Sequence, residues 1–258
     1  MKRLYIGVVS LGLLYPLLLK TAYAEQQPPS QAADATAVEA KSPRKSTWGG
    51  EAEIGFVMTR GNTETDSLNL KLLLSNERPK WKHKLQLKVL NSSDSNGATA
   101  ESYDALWRSE YSLSIADFLF GSLRYEDDRF AGFDQRTTEV IGYGYRVLNT
   151  DTMKLSLEAG AGARQTRNIN SSDEDETIGR LGLDYSWKIS KSATFKENLF
   201  VESGNINTLS ESVTELTVKV NRKLAMKLGL TVKNNSTVPV GTKNTDTKTA
   251  VTLVYDLN

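Results

Sequence analysis

The sequence predicts an all-β chain folded as an antiparallel transmembrane β-barrel of about twelve strands, and three observations carry that reading. Apolar and polar residues alternate through segment after segment: Leu68, Leu70, Leu72 and Leu74 share one parity while Ser67, Asn69, Lys71 and Ser75 share the other, so a strand there has an apolar and a polar face. The segments reach the ~9–11 residues that a tilted strand needs to cross a bilayer. The connections alternate short and long, as in bacterial barrels with tight turns at one rim and longer loops at the other. A soluble sandwich would show the first of these without the other two.

The N-terminus fits an exported chain. Met1-Lys2-Arg3 is basic, Leu4 through Leu19 is mostly apolar and Ala22-Tyr23-Ala24 is a small-x-small cleavage site, which together read as a signal peptide over residues 1–24, cleaved after Ala24. The apolar run is shorter than the ~20 residues of a spanning helix. Residues 25–47, rich in Gln, Ala, Ser and Pro, read as a flexible periplasmic leader. Residues 48–258 then form one domain. Mean hydropathy of −0.41 suits a barrel, because half of its strand residues face a polar lumen. The absence of cysteine rules out disulfides, thiolate metal sites and lipid attachment at a lipobox. Lys2, Arg3 and Lys20 leave with the signal, taking 32 Lys and Arg to 29 against 31 Asp and Glu, a net charge near −2 that argues against nucleic acid as a partner.

Each strand can be assigned by parity. The first runs from Trp48 to about Thr59, with Ile54, Phe56 and Met58 outward and Glu51 and Glu53 inward, and ends at Arg60-Gly61-Asn62-Thr63. The second, about Thr65 to Ser75, passes through the tight Glu77-Arg78-Pro79-Lys80 connection to a third, where Trp81, Leu85, Leu87 and Val89 alternate with Lys82, Lys84, Gln86 and Lys88. Ser92 to Glu101 is a polar loop. Strand four (Tyr103, Ala105, Trp107, Tyr111, Leu113 outward) turns at Ile115-Ala116-Asp117 into strand five (Leu119, Leu123, Tyr125), and Asp127 to Arg136 is the next long loop. Strand six (Ile141, Tyr143, Tyr145, Val147) turns at Asn149-Thr150-Asp151 into strand seven (Met153, Leu155, Leu157, Ala159, Ala161, Ala163), before the acidic loop Asn168 to Thr177. Strand eight (Leu181, Leu183, Tyr185, Trp187, Ile189) turns at Ser190-Lys191-Ser192 into strand nine (Phe195, Leu199, Val201). A polar loop from Asn205 to Ser210 precedes strand ten (Leu216, Val218, Val220). Asn221-Arg222-Lys223 leads to strand eleven (Leu224, Met226, Leu228, Leu230, Val232), and Asn234–Thr245 to strand twelve (Val251, Leu253, Tyr255, Leu257).

An even strand count puts both termini at the short-turn rim, expected to be periplasmic. Trp48, Trp81, Tyr111, Tyr145, Trp187, Phe195 and Tyr255 fall near that rim as an interfacial aromatic girdle. Glu197 breaks the parity of strand nine and predicts a bulge or a slipped boundary there.

Trp48, the Gly61-Asn62-Thr63 turn, the run from Tyr125 to Arg136 (YEDDRFAGFDQR) and Gly142-Tyr143-Gly144-Tyr145-Arg146 resemble the YdiY-like family, a domain-of-unknown-function family described as salt-induced outer membrane proteins. The resemblance covers about Trp48 to Asn258. Its most specific part is the strand-five to strand-six motif, with Asp127, Asp128, Arg129, Phe130, Gly132, Phe133 and Arg136. It implies an outer membrane barrel of a Gram-negative bacterium. The partners it implies are outer membrane lipids, lipopolysaccharide and, during biogenesis, the barrel assembly machinery and periplasmic chaperones.

Catalysis is not expected. The only histidine, His83, lies near a short turn on the outward parity, and neither a Gly-x-Ser-x-Gly elbow nor a His-x-x-x-His spacing occurs. The glycines of Gly142-Tyr143-Gly144 and Gly160-Ala161-Gly162 sit inside strands, where close strand approach or curvature explains them better than a nucleotide loop. No cofactor is predicted. Two features could carry function. The inward parity is charged with both signs, with Glu51, Glu53, Lys71, Lys88, Asp104, Arg108, Arg124, Glu126, Glu158, Arg164, Arg180 and Asp184 as the main lumen candidates. Twelve strands tilted ~40° leave ~10–12 Å of interior before side chains fill it. The lumen is then either a narrow charged pore or closed by cross-strand ion pairs. Its excess of cations predicts a mild anion preference carried by Arg108, Arg124, Arg164 and Arg180. The second feature is carboxylates in the outer loops, where Asp173, Glu174, Asp175 and Glu176 are weak candidates for a divalent cation and otherwise a solvated charge run. The reading is therefore a small-solute or ion channel or envelope-stress component. Its alternatives are a closed barrel binding lipopolysaccharide or cations through its loops, and a soluble periplasmic β-protein whose aromatic and leucine rows pack on a second sheet.

Overall fold

The computed structural model describes residues 47–60, 65–94, 97–128, 133–168, 172–238 and 243–257. The expected signal peptide, and the leader apart from Thr47, lie outside the described residues. The strands are β1 (Thr47–Arg60), β2 (Thr65–Glu77), β3 (Trp81–Asp94), β4 (Gly97–Ser112), β5 (Asp117–Asp128), β6 (Phe133–Asn149), β7 (Met153–Asn168), β8 (Glu174–Lys188), β9 (Ala193–Ser203), β10 (Thr208–Lys219), β11 (Leu224–Asn235) and β12 (Thr245–Asp256). Each pairs antiparallel with its chain neighbours, and β1 closes on β12 from Glu51 opposite Asp256 to Arg60 opposite Thr247. Closure leaves no sheet edge, so backbone donors and acceptors are paired within the wall, the condition for crossing hydrocarbon.

Parity then sorts the side chains. Leu70, Leu123, Ile141, Leu181, Leu228 and Val251 are exposed on the outer surface, part of an apolar band that water would not tolerate and lipid does. Trp48, Trp81, Tyr145, Trp187 and Tyr255 are exposed near the short-turn rim, and the Trp81 ring leans on Tyr111 at 4.9 Å. Such a row places amphipathic rings at one membrane interface.

The two rims differ less than the sequence suggested. β3 and β4 extend to Asp94 and from Gly97, β5 and β6 to Asp128 and from Phe133, β7 and β8 to Asn168 and from Glu174, and β9 and β10 to Ser203 and from Thr208. Four of the expected long loops are therefore largely hairpin tips, and only the connection after Asn235 keeps its length. Beyond the lipid band an outward position no longer needs an apolar side chain, so the alternation that marks a strand stops while cross-strand hydrogen bonding continues. The bulge expected at Glu197 is absent as well, because β9 pairs with β8 and β10 without a register shift. Glu197 stands on the outer face, and the hydroxyls of Ser212 and Thr214 donate to its two oxygens at 2.7 and 2.6 Å. Register shifts lie elsewhere, between β3 and β4 at Ser92/Ser93 and between β6 and β7 at Phe133/Gln135 and Arg146/Leu148.

One side of the interior is apolar. Phe118, Phe120, Val140 and Ile178 form a buried cluster on the inner faces of β5, β6 and β8. Phe118 and Phe120 lie directly opposite Gly144 and Gly142, and their rings cover the glycine backbone so closely that a Cβ on Gly142 would come within 2.6 Å of the Phe120 ring. The glycines of this pair are therefore seats for inward aromatic rings.

Candidate functional site in the barrel lumen

The inward parity carries layers of opposite charges brought together from distant strands. Nearest the short turns, Arg108 on β4 pairs with Glu158 on β7 at 2.5 Å and with Glu110 at 3.0 Å. In the middle, Lys71 and Lys227 share Glu53 at 3.1 and 2.6 Å and approach Glu215 at 3.5 and 3.6 Å, a four-membered ring of alternating charge. Higher up, Arg124 reaches Asp104 at 2.7 Å, Glu126 at 3.2 Å and Glu211 at 3.3 Å, and Lys233 reaches Glu126 at 2.8 Å. β5 and β11 are six places apart in a ring of twelve strands, so the Glu126–Lys233 pair joins opposite walls. Arg124–Glu211 and Asp128–Lys248 (3.9 Å) span nearly as far. Beside this latch, Arg164 is only 1% exposed and is fixed by Glu176 at 2.6 Å and the Asn207 carbonyl at 2.5 Å, while Arg180 pairs with Glu202.

What remains open is a cavity of about 600 Å³ lined by residues from all twelve strands. Along a membrane ~30 Å thick, a cavity of that volume is narrow. Glu51, Glu53, Lys71, Lys88, Asp104, Arg108, Arg124, Glu126, Glu158, Arg180 and Asp184 all line it. Arg164 does not, being sealed into the wall above it.

The described residues of the strand-five to strand-six motif flank the end of the β5–β6 hairpin. Glu126 and Asp128 point inward, Phe133 is buried, and the Arg136 guanidinium lies 3.9 Å over the Phe133 ring while its Nε donates to Thr166 at 3.3 Å. Asp127 is half-buried; Arg129, Phe130 and Gly132 lie outside the described residues. In the acidic run, Asp173 and Asp175 are exposed and Glu174 is half-buried. Glu176 turns inward to Arg164 and accepts the backbone N–H groups of Ile206 and Asn207 at 2.9 and 3.2 Å. The four carboxylates do not converge, and among the described residues no group of three or more Asp, Glu or His is placed to hold a metal ion. His83 is occupied at the aromatic girdle, with its Nδ1 2.7 Å from the Ser109 hydroxyl and its ring stacked on Trp81.

Sequence reasoning missed the inward aromatic layer. Arg146 lies over Phe118 at 4.5 Å, Arg108 over Phe120 at 4.3 Å and Arg180 over Phe200 at 4.1 Å, so each guanidinium is held by a ring as well as by carboxylates. The available signal was phenylalanine on a largely polar parity, all three facing glycines on the neighbouring strand, Gly144, Gly142 and Gly182.

A closed antiparallel barrel with an apolar outer band, an aromatic row and a charged lumen has the porin-like fold of outer membrane β-barrels. The solved NanC porin is similar in fold, with a TM-score of 0.56 at 9% identity, covering 80% of this chain and all of that one. In sequence the chain is 26% identical over 223 residues to the uncharacterized protein YdiY of Escherichia coli K12, covering 86% of this chain and 88% of that protein. Residues 52–257 match the family model described as "Protein of unknown function, DUF481". The chain belongs to the DUF481 family.

Proposed function

We propose that this barrel is a narrow channel for ions and small hydrophilic solutes, seated with its short turns and both termini in the periplasm, and that its role is passage and not catalysis. The observation that carries the reading is a single charged cavity extending from Lys154 and Asn149 beside the short-turn rim to Asp246 and Lys248 toward the other. A barrel built only as a wall can fill its interior with packed apolar side chains, whereas this one leaves a cavity and lines it with charge. The section limits passage to small species, and the ion pairs between opposite walls limit conductance further.

The same pairs favour a second reading, a closed barrel with a structural role or one that binds lipopolysaccharide or cations through its loops. Planar bilayer recording of the purified, folded protein decides between them. The channel reading expects small unitary current steps, raised severalfold in the Glu126→Gln/Glu211→Gln variant, which unties Lys233 and leaves Arg124 only its contact with Asp104. Bilayers silent for both proteins, with the folded barrel verified by its heat-dependent gel mobility, overturn the channel and leave the closed barrel.

A further inference from the structure

Pairing in the lumen is uneven. At the level of the latch and above, acids and bases meet in contacts of 2.6–3.9 Å, and Arg180 meets Glu202. Toward the short turns, inside the exposed Lys154 of the rim, two further lysines stand apart. Lys84 is the fourth residue of β3 and Lys196 the fourth of β9, so they sit at similar height, and β3 and β9 are six places apart in the ring and face each other. Both line the cavity, and among the described residues neither forms an ion pair or side-chain hydrogen bond. Lys84 is within electrostatic reach of Lys196 and of Lys71, and the acids in reach are Asp184 and Glu215. Those acids are already engaged, Asp184 by the Asn198 amide at 2.6 Å and Glu215 by Lys71 and Lys227.

We infer that Lys84 and Lys196 form a binding site for a compact oxyanion of the phosphate class, held between opposite walls just inside the short-turn mouth. Two ammonium groups facing each other across a narrow lumen, Lys84 half-buried and Lys196 exposed, are stabilised by a shared anion, and charge confined at close range is less screened than on an open surface. Lysine ammoniums, as compact point charges with three rotatable donors, suit a tetrahedral oxyanion. The inference deepens the channel reading and rests on it for access to the site, but binding itself can be measured without current.

The test uses the full mature protein, folded in detergent, titrated with inorganic phosphate by calorimetry at constant ionic strength in chloride, and in parallel phosphate added on the short-turn side of the bilayer. Wild type should bind phosphate, and phosphate should reduce the chloride current. Lys84→Gln/Lys196→Gln should weaken both at least tenfold while keeping the gel mobility of the folded barrel. Should that variant fail to fold, Lys84→Gln and Lys196→Gln taken singly should each weaken binding. No heat of binding for wild type, or equal binding by folded variants, overturns the site. Binding with a silent bilayer overturns the channel and leaves the site, and current that phosphate does not touch, with no binding, does the reverse.

Discussion

Arg164 shows how far a single charge can be taken from water when a carboxylate and a carbonyl hold two of its nitrogens, even though among the described residues Nη1 has no hydrogen-bond partner and only Glu202 at 3.8 Å nearby. It is 1% exposed, yet Glu176 accepts from both its Nε and Nη2 at 2.8 and 2.6 Å and the Asn207 carbonyl accepts from Nη2. A buried ion pair adds little net stability, but removing one partner strands the other. Arg164→Ala should therefore cost about 3–5 kcal/mol in urea unfolding of the micelle-folded barrel, and a loss under 1 kcal/mol would mean water replaces the guanidinium. Glu197 is the opposite case, a carboxylate on the lipid side just above the Phe195 level, satisfied by Ser212 and Thr214 alone. Acidic residues on that face cost less than basic ones but still cost. Glu197→Gln, which keeps an acceptor for a hydroxyl and removes the charge, should raise stability by up to about 1 kcal/mol in the same assay. A fall instead would reveal a partner for the carboxylate in the membrane.

At the scale of the strand, parity was legible in the sequence and the rims were not. Exposed apolar side chains alternate with lumen-lining polar ones through β2, β4, β5 and β11, because one face must meet lipid and the other water. Arginine at Leu70, in the middle of β2, should cost ~2–4 kcal/mol, at Leu157, level with Tyr145, less, and at the inward Asn69 least. Equal losses at Leu70 and Asn69 would break the assignment. The extended hairpin tips were read as loops because their outward residues are polar, and the contact partners across the lumen were invisible because strand parity says which way a side chain points but not which of eleven other strands it meets. The seat of Phe118 on Gly144 was also illegible, since it depends on register. A Cβ at Gly144 would lie within 2.6 Å of several Phe118 ring atoms, so Gly144→Ala should destabilise by roughly 1–3 kcal/mol, and Phe118→Leu in the same chain should recover part of that loss, as a double-mutant cycle would show.

Across the whole molecule, the distribution of pairing decides what the lumen selects. The excess of inward cations predicted an anion preference resting on Arg108, Arg124, Arg164 and Arg180, but each of these is bound to a carboxylate at 2.7 Å or closer. A paired arginine presents passing ions with little net field, and its chief electrostatic work is to cancel its partner. Removing one should therefore expose acid and not merely subtract base. Arg124 is the sharpest case, since it holds Asp104, Glu126 and Glu211 at once in the latch between opposite walls, where Lys88, Lys233 and Arg136 are the other cations within reach of these acids. In Arg124→Gln the constriction should loosen and lose positive charge together. Unitary conductance should rise, and the reversal potential under a potassium chloride gradient should move toward cation selectivity, most strongly at low ionic strength where screening is weakest. A rise in conductance without that shift would mean the latch blocks the path but the permeating ions do not sense its charge, and a shift without the rise would place the narrowest point elsewhere, at the short-turn mouth where Lys84 faces Lys196.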